Sequence, residues 1–235
     1  MFAPAGFGGS VQSMNSGTVF VQSNGTVSIN PADANDFIKL GFKFATTVHR
    51  SYNTPGAPAA SSPSVTVSST SLSAGPTTLT IAAQPDVPRQ LAVLLNMTGT
   101  LTAGSLGLTY TANDGTTQTD IFNFAGTVTS ATQYTSKGVE HLTSGTIYAS
   151  AAGGSAQVIQ IGTNNVLALP LDTSFTSLSV TKETKITPTA GTLGLSVPAD
   201  ETVGTLVVAS GLITPTTVPD GTHGLSFGYS YIYPG

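Results

Sequence analysis

Thr and Ser alternate with Val, Leu, Ile and aromatic residues along most of the chain, and a two-residue period of this kind marks half-buried β-strands. The apolar sets Val65 and Val67, Leu79 and Ile81, Leu91, Val93, Leu95 and Met97, Leu106, Leu108 and Tyr110, and Phe122 and Phe124 each fall on one strand face. In the closing stretch GLSFGYSYIYPG, Leu225, Phe227, Tyr229, Tyr231 and Tyr233 all share a side, and that side must lie against something apolar. Two turns support the strands. NDG at 113–115 separates LGLTYTA from QTDIFNF, and SNGT at 23–26 separates TVFV from TVSI. Asn or Asp with Gly supplies the positive φ that tight hairpins need, so each predicts a hairpin.

One segment departs from this period. Asn30 can cap a helix, Pro31 suits its first position, Asp33 favours its first turn and Gly41 can end it, so the spacing predicts a helix over 31–40 with Ala34, Phe37 and Ile38 on one face. NTPGAPAASSP follows at 53–63, and its Pro, Ala and Ser content reads as a linker. The expected protein is therefore all-β. Residues 1–52 form an N-terminal module of β-hairpin and short helix, and 64–235 form an antiparallel β-sandwich or jelly-roll-like body, with room for two subdomains dividing near 150–165. TAGSLGL at 102–108 returns as TAGTLGL at 189–195, but the flanks do not extend the match and the composition makes chance repetition the simpler source.

Composition narrows the classes of function. Only 8% of the 235 residues are charged, against a globular norm of roughly 25%, so Thr, Ser, Asn and Gly must keep the surface wetted. The seven basic residues are scattered and the net charge is −4, which argues against a nucleic-acid partner. No apolar run approaches the ~18 residues of a membrane span, and MFAPAGFGGS does not read as a secretory signal. Without cysteine there are no disulfides and no thiolate metal sites.

Candidate chemistry is sparse. His49, His141 and His223 are far apart in sequence, and Glu140 beside His141 would face the opposite side of a strand. Asp114 and Asp120 in TANDGTTQTD lack the dense carboxylate spacing of a calcium loop. No nucleophile elbow, phosphate loop or dinucleotide fingerprint occurs. The sequons at Asn24 and Asn96 are short enough to arise by chance. No catalytic, cofactor or metal site is assigned, and a hydrolase is the weakest reading. In PDVPRQ, at 85–90, Asp86 and Arg89 stand three apart, each directly after a proline (Pro85 and Pro88), and the simplest expectation is an exposed ion pair closing a turn, worth about 0–1 kcal/mol.

PDVPRQLAV, GTVSINPADANDFIKLGF at 25–42, IGTNNVLALPLD and TTVPDGTHGLSFGYSYIY resemble segments of virion structural proteins of tailed bacteriophages. The resemblance implies a non-enzymatic virion component made in the bacterial host cytoplasm, with a β-sandwich body, of the capsid decoration or minor head protein type. It carries over no catalytic residue. The implied partners are the major capsid protein or other virion proteins, with homo-oligomers, no nucleic acid and no membrane. In the alternative, a tail or fibre component recognises a host surface glycan. On the first reading residues 1–52 anchor the protein to the particle.

Overall fold

The computed structural model describes residues 9–12, 18–21, 27–30, 41–71, 76–97, 100–126, 130–149, 152–153, 157–172, 175, 177–188 and 196–234. Among these residues every regular element is a strand. In chain order they are β1 (Gly9–Gln12), β2 (Thr18–Val21), β3 (Val27–Asn30), β4 (Gly41–Asn53), β5 (Ser62–Ser71) and β6 (Thr77–Thr78). Next come β7 (Arg89–Met97), β8 (Thr100–Ala112), β9 (Thr117–Gly126), β10 (Ser130–Tyr134), β11 (Val139–Ala149) and β12 (Ala152–Gly153). The last are β13 (Gln157–Ala168), β14 (Ser177–Pro188), β15 (Ser196–Glu201), β16 (Thr205–Val207), β17 (Leu212–Thr214) and β18 (Gly224–Pro234). No helix of the described residues is long and apolar enough to cross a membrane.

The chain divides into two units, Met1–Val48 with Ser174–Ser177 and Tyr231–Gly235, and His49–Thr173 with Leu178–Ser230. In the first, β1 runs antiparallel to the start of β4, with Gln12 opposite Gly41, and β2 pairs with β3, with Val21 opposite Val27. That pairing is the one SNGT calls for, although the turn itself lies outside the described residues. The helix expected over 31–40 also lies outside them. Gly41, read as its end, opens β4. Within this unit Phe175 meets Tyr231 edge to face, ring centroids 6.5 Å apart.

The second unit is an antiparallel, sandwich-like β body. β8 is flanked by β9 and β11, and β7 by β10 and β13, with β5 on the far side of β13. Alternation sends Leu106, Leu108 and Tyr110 of β8 and Phe122 and Phe124 of β9 inward, and a register shift in β11 between Leu142 and Ser144 lets Leu142 and Ile147, of opposite parity, both face the core. They meet Leu91, Val93 and Leu95 of β7, Ile159 and Ile161 of β13, and Val67 of β5 in one cluster. Each such side chain contributes roughly 1.5–3 kcal/mol when fully buried, so this cluster dominates what holds the body together. β18 lies between β4 and β14, and β15 pairs with β14.

Most strand faces match the expected alternation, and β5 shows where it fails. Its register against β13 shifts twice, so Thr66 and Val67 are both buried while Val65 is left 42% exposed. A bulge inserts an unpaired residue and reverses the parity beyond it, which the sequence period does not reveal. The hairpin at 113–115 forms with Gly115 at φ 74°, its N–H donating to Ala112 O at 2.9 Å. A residue with a Cβ is strained in that conformation, which is why glycine stands there.

Residues 54–61, whose composition reads as a linker, form no strand until Ser62, yet they are hydrogen-bonded along their length. Thr54 N–H donates to Leu225 O, Gly221 N–H donates to Pro58 O, and Ser61 N–H donates to the Asn165 side chain. The segment is a strap within the second unit, irregular but pinned. Residues 157–165 of the range 150–165, read as a possible subdivision, belong to the continuous strand β13 (Gln157–Ala168).

Leu225, Phe227 and Tyr229 are all buried, as the closing pattern demands. Replacing Phe227, which is 0% exposed, with Ala should lower stability by about 3–5 kcal/mol in urea unfolding, whereas Val65→Ser on the exposed side of β5 should change it by no more than about 0.5 kcal/mol.

Candidate functional site

Pro85 and Pro88 set the backbone that enters β7, and inward positions of that strand then follow every second residue: Leu91, Val93 and Leu95. Counting back one step places Arg89 on the same face. Its side chain is 0% exposed, so the expected surface ion pair is corrected: the guanidinium is wholly inside, and only Asp86 reaches solvent. Arg89 sits where three strands meet, in register with Val139 of β11 and Leu167 of β13. Its Nη1 lies 3.2 Å from Asp86 Oδ1, while its Nη2 donates to Ala59 O at 3.0 Å. Asp86 Oδ2 in turn accepts from Ala59 N–H at 2.7 Å. The pair thus grips both polar groups of one peptide residue in the strap.

Burial lowers the Arg89 pKa, with the Asp86 carboxylate opposing the shift. Nearby, burial pushes the Tyr52 phenol up to about 12, and the carboxylates of Asp86 and Glu140 add to it. Tyr52 therefore stays a neutral phenol.

Other ionisable side chains behave in the same way. Glu183 is buried in β14 and accepts from Gly204 N–H at 2.8 Å and Thr216 N–H at 2.7 Å, fixing two loops. Asp120 accepts from Tyr110 Oη at 2.8 Å and from Ser136 N–H at 2.7 Å and Oγ at 2.8 Å. Asp114 is held by Lys137 Nζ and by Thr116 N–H and Oγ1. The two aspartates of TANDGTTQTD thus have separate partners.

His49 and His141 are exposed, and His223 Nδ1 is paired with Asp220 at 2.7 Å in an exposed turn. A register shift between Val139 and His141 leaves Glu140 and His141 both exposed instead of on opposite faces. Among the described residues no three His, Cys, Asp or Glu side chains converge as metal ligands. Asn96 donates to Gln160 Oε1 across the β7–β13 pair.

The outer sheet faces carry the opposite chemistry. On β9, β8 and β11, successive rows read Asn123, Ser105 and Tyr148; Ile121, Gly107 and Thr146; and Thr119, Thr109 and Ser144. No residue in these rows is charged. Ile121 and Tyr148 are 58% and 55% exposed and lean over Gly107 from either side, their nearest atoms 3.4 and 3.8 Å from where a Cβ would stand. The outer face of β10, β7 and β13 is uncharged too, with Tyr134, Ala92, Leu94 and Gln160 along it. What this arrangement can do chemically is present uncharged surface on a frame held by internal charges.

The chain matches no protein-family model, no curated protein and no solved structure.

Replacing Arg89 with Ala should cost on the order of 3 kcal/mol, well above the surface-pair figure, because it leaves a void and releases the strap. Arg89→Lys keeps the charge but cannot serve Asp86 and Ala59 together, so its melting temperature should fall between the two.

Acid should act through the aspartates. Burial pushes Asp114 up, but the hydrogen bonds from Lys137 and Thr116 outweigh it and leave its pKa below the ordinary 3.8. The N–H of Thr222, with its hydroxyl and His223, holds Asp220 far below the same range. A depressed folded pKa contributes stability that is complete above the unfolded value and is lost as pH falls through the folded one. The stabilisation from these groups should therefore be complete and unchanging between pH 7 and 5, the melting temperature should fall below about pH 4, and Asp114→Asn should flatten that acid limb.

Proposed function

We propose that this chain is a non-enzymatic structural protein of a tailed-bacteriophage virion, a capsid decoration or minor head protein that works by surface contact. The observation that carries this reading is the separation of chemistry in the body. Arg89, Asp86, Glu183, Asp114 and Asp120 are engaged in holding backbone and neighbouring side chains, while the outer rows of β9, β8 and β11 around Gly107 and of β10, β7 and β13 carry no charge. A body built this way has weakly charged rows to lay against a neighbour, and among the described residues its buried ionisable groups are taken up in structural hydrogen bonds. The resemblance of PDVPRQLAV and the closing segment to virion proteins points the same way. A repeating shell multiplies modest contacts, so a protein of this kind stays on the particle without any single strong site.

The N-terminal module is the proposed anchor to the capsid, with the major capsid protein as partner. A specific observation also favours the second reading, a tail or fibre component that binds host glycan: Tyr148 presents an exposed ring among Ser105, Thr146 and Asn123.

Purified full-length protein should bind saturably to mature phage heads lacking it, and electron cryo-microscopy should place it at repeating positions on the shell. Removal of residues 1–48 should abolish that binding while the far-ultraviolet circular dichroism of the body persists. Binding to bacterial surface polysaccharide with none to heads would replace the head assignment with the tail reading.

A further inference from the structure

We infer that the outer face of β9, β8 and β11 is a self-association surface, where the chain packs against the same face of a second copy. The inference extends the proposed function by naming one partner, and its test needs no particle.

Three observations carry it. The rows around Gly107 hold the two large apolar side chains Ile121 and Tyr148, each more than half exposed and together covering one glycine. They form a single apolar island ringed by Ser105, Thr109, Thr119, Asn123, Ser144 and Thr146, the arrangement of a contact centre with a polar rim. The second observation is electrostatic. In a two-fold dimer, groups near the axis meet their own copies, so any charge there faces its like. The whole chain carries −4, yet these rows contain no charged residue, and this is the condition an isologous contact requires.

The third is geometric. Ile121 and Tyr148 flank Gly107 on opposite sides of β8. A two-fold axis running along β8 at Gly107 therefore sets Ile121 of each copy against Tyr148 of the other. Gly107, with no side chain, leaves those two groups as the highest points of the face. The outer face of β10, β7 and β13 is also uncharged, but among the described residues Tyr134 is the one large apolar side chain on it exposed to half its surface, so it lacks a paired island.

Sedimentation velocity on the full-length protein across a micromolar concentration series tests this directly. The wild type should form a reversible dimer, and Ile121→Asp should raise its dissociation constant by more than roughly tenfold with circular dichroism and melting unchanged. Tyr148→Lys should do the same, and mixing the Ile121→Asp and Tyr148→Lys proteins should restore dimers, because the axis brings the introduced charges together as opposites. Should Ile121→Asp fail to fold, Thr119→Asp places a charge on the same exposed face. A wild type that stays monomeric throughout the series overturns the inference. So does a dimer indifferent to Ile121→Asp but lost in Tyr134→Asp, and so does a mixture that stays monomeric. None of these results bears on whether the protein binds phage heads, which is read separately on particles.

Discussion

A buried guanidinium is the constraint on which the arrangement of the body depends. Moving a charge out of water is costly, and Arg89 is tolerated because its surroundings answer it from two directions: Asp86 supplies the opposite charge and Ala59 supplies a carbonyl. Those requirements fix much else. Asp86 must be held by the turn between Pro85 and Pro88, and the strap must pass close enough for its Ala59 to be gripped. β7, β11 and β13 meet around the same residue. An apolar side chain there would pack, but it would place no demand on the strap.

The same device recurs in a chain with very few charges. Glu183 collects two backbone N–H groups from separate loops. Asn113 donates to Leu169 O at 2.8 Å and Ser210 O at 3.2 Å, joining the β8–β9 hairpin to the segment after β13 and to the β16–β17 turn. Buried polar groups whose hydrogen bonds reach separate loops in this way specify one arrangement of loops, whereas apolar contacts alone tolerate several. The corollary lies on the outside. The outer rows of β9, β8 and β11 around Gly107 and of β10, β7 and β13 carry hydroxyl, amide and apolar groups without charge, whereas Lys182 and Asp200 pair on the exposed side of β14 and β15.

Much of the fold was legible along the chain. The alternation of Leu91, Val93 and Leu95, of Leu106, Leu108 and Tyr110, and of Leu225, Phe227 and Tyr229 translates directly into buried faces, because side chains on a strand point to opposite sides in turn and the core rewards one side only. NDG specified its hairpin because Gly115 meets a local backbone need. The position of Arg89 was legible as well, since it shares the parity of Leu91. Reading it as exposed weighed the residue type above its place in the pattern.

What one strand does is a local matter, and the sequence by itself determined it: β period, hairpin turns, the inward sets and the low charge. The tertiary structure alone decided which strands lie side by side, and with that which side chains share an outer face. Ile121 and Tyr148 are far apart in the chain and meet over Gly107 only through the registers of β9 and β11 on β8. Glu183 finds its donors in loops that no spacing connects to it. The bulge in β5 that exposes Val65 depends on its partner strand. Each of these is a non-local pairing, set by how whole faces pack together, and a one-dimensional period carries no record of it.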